Sequence, residues 1–222
     1  MAAGDRQAGT RGPAPLVAAL LGLVLLSACT QSTVFYGAQA HELHGKRLLL
    51  LRPVLIAPTD PALQQHVLER TDGALAQLPG LGPILGRDAP RSRPGVSLAV
   101  VDAYEQFSST LSLAGIGDPE LARVLLDGLQ AELLILVQPT TVPCPVCEQG
   151  DELWLVGEVL EARTGRLVFR AHLRGPVGAD DAPAQLALAN ALIDEFLDYL
   201  RQAFRLRAHR ERFTHLKALA AQ

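Results

Sequence analysis

Leu133-Leu134-Ile135-Leu136-Val137 is an unbroken apolar run, with Ala131-Glu132 before it and Gln138-Pro139 after it. A run this short and this apolar reads as a strand buried on both faces, at the centre of a sheet. Upstream, Asp118-Pro119-Glu120 supplies a capping aspartate followed by proline, the start signal of a helix. Leu121, Val124, Leu125 and Leu129 then carry that helix toward the strand. Downstream, Glu152 to Ala162 and Arg166 to Arg174 form two strands around Arg163-Thr164-Gly165, a hairpin signature with glycine available for positive φ. The second strand alternates: Leu167, Phe169, Ala171 and Leu173 face one way, and Arg170, His172 and Arg174 the other. A last helix starts near Asp181 or Pro183. It carries Leu186, Ala189, Ile193, Leu197, Leu200 and Phe204 on one stripe.

Toward the amino terminus, Arg47 to Ala57 is another near-continuous apolar run, read as a buried strand, with Pro53 marking an edge or a bulge. Thr59-Asp60-Pro61 starts a helix over 61–78, with Leu63, Val67, Leu75 and Leu78 on one face. Residues 79–95 are rich in proline and glycine and read as loop. Val96 to Val101 reads as a further strand, and 103–117 are mixed. The expected fold is therefore α/β (α+β): a mixed sheet of about five strands with a late antiparallel hairpin, covered by three helices.

The step from helix to strand at Gln130-Ala131-Glu132, and the hairpin Glu161-Ala162-Arg163-Thr164-Gly165, carry a resemblance. Together with the element order they resemble the group formed by the amino-terminal domain of the TolB translocation protein, the curli secretion channel subunit and the lipoprotein activators of penicillin-binding proteins. That group typically has Gly-Ala-Asp at the first position and Asp-x-x-Thr-Gly at the second. The resemblance covers about residues 47–204. It implies a non-catalytic envelope protein, with no catalytic residue to carry over. A curli-type channel needs membrane-spanning hairpins of about 9–11 residues per strand, and 103–117 are too few for two.

Leu26-Ser27-Ala28-Cys29 closes an apolar run from Leu16 that is well short of the roughly 20 residues a spanning helix needs. It resembles the lipobox of bacterial lipoprotein signals. Residues 1–28 are thus expected as a signal peptide and Cys29 as the acylated amino terminus. A core helix or plain secretion are the other readings. Residues 29–46 read as a tether, 47–204 as the domain, and 205–222 as a basic tail expected to be helical. Thr30 lacks the aspartate that marks inner-membrane retention in enteric-type lipoproteins. This points to the periplasmic face of the outer membrane, with the inner membrane as the other option.

The chain carries 20 Lys and Arg against 23 Asp and Glu, a formal net charge of −3. Residues 201–222 hold Arg201, Arg205, Arg207, Arg210, Arg212 and Lys217 against Glu211 alone, so the rest is acidic. An acidic body with a basic tail is not a nucleic-acid footprint. The tail is either a solvated helix end, with cations suited to the carboxyl-terminal dipole, or an arm for an anionic partner such as peptidoglycan, lipid headgroups or an acidic protein face.

Cys144-Pro145-Val146-Cys147 is expected to form a disulfide in an oxidising compartment. No helix follows to activate it for redox chemistry, and no second pair completes a zinc site. His41 and His44 are three apart and do not make a metal motif. Ser108-Ser109 lack a nucleophile's surroundings. Gly80-Leu81-Gly82 follows a helix and does not make a phosphate loop. The expected function is that of a lipid-anchored periplasmic accessory or assembly protein of a cell-envelope machine, with no enzymatic activity and no cofactor. The alternatives are an activator of a penicillin-binding protein and a periplasmic thiol redox protein.

Overall fold

The computed structural model describes residues 31–219, apart from 38–42, 44, 57, 147–149 and 179–180; beyond residue 203 only the helical backbone is described. Cys29, Cys147, His41 and His44, singled out above, lie outside the described residues, as does the expected signal peptide.

The described residues form a mixed six-stranded sheet and five helices. In chain order they are β1 (Gln31–Tyr36), β2 (Leu48–Leu50), α1 (Pro61–Ala76), β3 (Ile84–Leu85), α2 (Ala89–Ser92), α3 (Leu98–Ala114), α4 (Pro119–Leu129), β4 (Leu133–Pro143), β5 (Gly150–Glu161), β6 (Arg166–Gly178) and α5 (Ala182–Leu219). The sheet order is β1-β6-β5-β4-β2-β3. β2 runs parallel to β3 and to β4, while β4, β5, β6 and β1 are joined antiparallel.

The apolar run at 133–137 is buried on both faces. Leu133, Ile135 and Val137 join a core with α1 and α5. Leu134 and Leu136 join a second core with α3 and α4. β2 divides in the same way, with Leu48 and Leu50 in the first core and Leu49 and Leu51 in the second. Both aspartate caps form. Asp60 accepts from the Ala62 amide at 2.9 Å, and Asp118 from those of Glu120 and Leu121 at 2.8 and 3.3 Å. Gly165 takes φ 65° in the hairpin turn.

Four readings need correction. Val96 to Val101 is not a strand: α3 begins at Leu98, and Val100, Ala103, Tyr104, Phe107 and Leu111 bury one helical stripe. A short apolar run does not separate strand from buried helix. Arg47 to Ala57 pairs only over Leu48–Leu50 and leaves the sheet before Pro53, which could not donate to a ladder. The second parallel strand is Ile84–Leu85, inside the segment read as loop. Lastly, residues 31–36 of the expected tether are a sheet strand, β1, with Gln31 opposite Arg174 and Tyr36 opposite Phe169. The alternation in β6 also breaks once. An irregularity between Val159 and Leu160 leaves Val168 unmatched. Leu167 therefore packs with the second core, and Phe169, Ala171 and Leu173 with the first.

Candidate functional site

α1 and α5 cover one face of the sheet. On the other face, α3 and α4 pack over β2, β4 and the start of the hairpin. The remainder of that face, across β5, β6 and β1, is not buried in either core among the described residues. Strand alternation puts Trp154, Val156 and Glu158 of β5 there, beside Arg174, His172 and Arg170 of β6 and Gln31, Thr33 and Phe35 of β1. Phe35 is half exposed.

These side chains hold one another. The Trp154 and His172 rings meet edge to face with centroids 4.8 Å apart. The Arg174 guanidinium lies 5.8 Å from the centre of the Trp154 ring, a cation–π distance. The Trp154 indole donates to Glu152 at 2.8 Å, Glu152 pairs with Arg174 at 3.4 Å, and Arg174 Nε donates to Gln31 at 3.0 Å. Further along, Arg170 clasps Glu158 Oε1 through Nη2 at 2.6 Å and Nε at 2.7 Å.

Burial sets the electrostatics. The Glu158 side chain is 5% exposed, and its Oε2 has no partner among the described residues. Burial pushes its carboxyl above the usual range, and Arg170 only partly offsets this. His172 is held below its ordinary value, first by burial and then by Arg174 and Arg170. It is therefore neutral near pH 7, and its enclosed Nε2 has no partner among the described residues. Each carboxylate on the face already serves an arginine. The face can stack, accept a flat partner and exchange guanidinium hydrogen bonds. Among the described residues, no exposed base stands beside a nucleophile on it.

A second concavity of about 770 Å³ opens where β2 and β3 end, beside α1. Open parallel sheets take ligands at such carboxyl ends. Arg52, Gln64, Glu69, Asp72, Arg87 and Asp88 line it. The Arg87 side chain, 8% exposed, pairs with Asp72, and Arg52 pairs with Asp88. Burial raises the Asp72 carboxyl and lowers the Arg87 guanidinium. Tyr104 beneath them, pushed up to about 12 by burial, donates to the Leu50 carbonyl at 3.1 Å. Both cations are neutralised from within the fold.

Of the cysteine pair, Cys144 sits just past β4, half-buried, and its amide donates to the Gly150 carbonyl at 2.8 Å, closing the neck of the loop. Ser108 is buried inside α3 and closed to substrate. The face around Trp154 and the pairing of Arg87 with Asp72 were not read from the sequence. Alternation marks the polar side of β6, but only the packing of the helices shows that, among the described residues, this side lacks a cover.

No protein-family model and no curated protein matches the chain. Among solved structures it is similar to the PelC dodecamer from Paraburkholderia phytofirmans, at 13% identity over 78% of this chain and 97% of that chain, with a TM-score of 0.43. It is also similar to the lipoprotein GNA1162 from Neisseria meningitidis, at 14% identity over 68% of this chain and 96% of that chain, with a TM-score of 0.38. The hypothetical protein CT253 from Chlamydia trachomatis shares 14% identity over 74% of this chain and 94% of that chain, at a TM-score of 0.38.

Proposed function

We propose that this chain is a lipid-anchored periplasmic accessory protein of a cell-envelope machine, acting through protein–protein contact. The observation that carries the reading is Leu26-Ser27-Ala28-Cys29 standing immediately before the sheet. Acylated Cys29 is two residues from Gln31, a span of about 7 Å at full extension. The domain then rides on the bilayer surface and not on a long tether, because β1 takes up residues that would otherwise give reach. This argues against the reading as a penicillin-binding-protein activator that must cross the periplasm. The resemblance of the 130–132 step and the 161–165 turn to the TolB-type group supports a non-enzymatic role. The open face around Trp154 is the surface we assign to the partner, and the Cys144–Cys147 pair is assigned a structural disulfide.

The test is fractionation of cells producing the parent chain and a Cys29→Ser variant. The parent is expected in the outer-membrane fraction, reached by protease only after the outer membrane is opened. The variant is expected to lose lipid and leave that fraction. A Cys29→Ser protein that stays membrane-bound and accessible as before would overturn the reading.

A further inference from the structure

We infer that this chain pairs with a second copy of itself through β1, joining two six-stranded sheets edge to edge. The two edges of the sheet are treated differently by the sequence. β3 is two residues long, with Gly82-Pro83 before it and Gly86 after it. Such an edge is too short and too interrupted to accept another strand. β1 is six residues, Gln31-Ser32-Thr33-Val34-Phe35-Tyr36, without charge, proline or bulge, and among the described residues it ends the strand order. Edge strands of monomers are normally guarded by one of those devices.

The hydrogen-bond phase of β1 makes it self-complementary. The Gly37 amide donates to the Val168 carbonyl at 2.9 Å. Gly37 therefore turns its backbone groups toward β6, and by alternation so do Phe35, Thr33 and Gln31. Ser32, Val34 and Tyr36 turn theirs outward. In an antiparallel pair, facing residues share a side of the sheet, and hydrogen-bonded pairs must come from the outward set. One two-fold register uses all three outward residues: Val34 faces its own copy, and Ser32 faces Tyr36 of the other chain in both directions. Thr33 and Phe35 then face each other across the axis, an aromatic beside a β-branched residue, which favours pairing. A shift by two residues would leave one of the three outward residues of β1 without a partner inside Gln31–Tyr36. The interface is isologous and closes on itself, so it makes a dimer and not a fibre. It does not depend on the anchor at Cys29.

The register fixes the test. In full-length chain in membranes, Val34→Cys is expected to form a disulfide-linked dimer, because a hydrogen-bonded pair holds Cα atoms about 5.5 Å apart, within disulfide reach. The parent, with its own cysteines, is the control. Ser32→Cys alone faces its copy four residues away, about 13 Å along the strand. It is expected to stay uncoupled and to couple only when mixed with Tyr36→Cys. Thr33→Glu/Phe35→Glu places like charges opposite each other across the axis, yet beside His172 and Arg170 within each chain. It is expected to keep the parent's circular dichroism and to raise the dimer dissociation constant about tenfold or more. Failure of Val34→Cys to couple, equal coupling of Ser32→Cys, or a parent that sediments as a monomer overturns the proposal. So does a folded Thr33→Glu/Phe35→Glu chain that dimerises like the parent.

Discussion

Gly157 lies on β5 under the ring of Phe196 from α5. A methyl group on its Cα would stand 2.1, 2.6 and 2.8 Å from three carbons of that ring. Carbon atoms pack best at about 3.5–4.0 Å, so Gly157→Ala forces the ring back by about 1 Å or more. Phe196 is fully buried and backed by Phe169, whose ring centroid is 5.9 Å away. Overpacking a core costs roughly 1–3 kcal/mol, and a ring caught between a strand and another ring falls at the upper end, about 2–3 kcal/mol. For a chain of this size that lowers Tm by roughly 4–12 °C. The single tryptophan, Trp154, reports unfolding in urea by fluorescence. In a Phe196→Leu background the branched side chain makes room, and the same Gly157→Ala change is expected to cost less than about 1 kcal/mol. Equal midpoints for Gly157→Ala and parent, or the same cost in both backgrounds, would refute the placement of α5 on β5.

Gln130 caps α4 at φ 55°, a conformation that costs a non-glycine residue about 1 kcal/mol, and its side chain accepts from Arg47 at 2.7 Å on the surface. Gln130→Gly is expected to raise stability by about 0.5 kcal/mol in urea titration, and a loss of 1 kcal/mol or more refutes the strain. His172 has its folded pKa lowered, so the unfolded chain takes up the proton first. Its contribution is present above the ordinary value of 6.5 and is lost as pH falls below it. Denaturation between about pH 7.5 and 5.5 should therefore lose less stability in His172→Gln than in parent. Glu158 has the opposite sign, since its raised folded pKa makes its contribution greatest at low pH and lost as pH rises above 4.5. Glu158→Gln removes that slope, and an unchanged pH profile in both variants would contradict the burial of these groups. Protein produced in the periplasm is expected to show no titratable thiol at Cys144 or Cys147 until reduced, and two free thiols would remove the disulfide.

The sequence was most legible where one signal decides an element. The run at 133–137 is a central strand because nothing else explains five buried residues facing both ways. Asp60-Pro61 and Asp118-Pro119 start helices because side-chain caps are local chemistry. Gly165 turns the hairpin because it alone supplies positive φ there cheaply. The failures lie where tertiary pairing overrides local pattern. Val96 to Val101 looks like a strand until the stripe through Phe107 and Leu111 is seen to continue it as a helix. β3 is invisible at two residues, since Ile84 and Leu85 are a strand only because β2 is beside them. β1 is uncharged but short, and only Arg174 to Phe169 opposite it make it part of the sheet. The open face depended on two of these failures. With α3 read as a strand and β1 as tether, only α4 is available to cover β2 and β4 and the sheet has no strand beyond β6, so the region over Trp154 and His172 has no outline in the sequence.

Under the proposed function, Cys29 is the lipid-bearing first residue of a domain whose first described strand begins two residues later. Mass spectrometry of the mature amino-terminal peptide tests it most directly. The expected result is a peptide beginning at Cys29 with a mass increased by a diacylglyceryl group and an amide-linked acyl chain, absent when Cys29 is serine. A mature chain that begins elsewhere, or an unmodified Cys29 in protein from the membrane fraction, would contradict it.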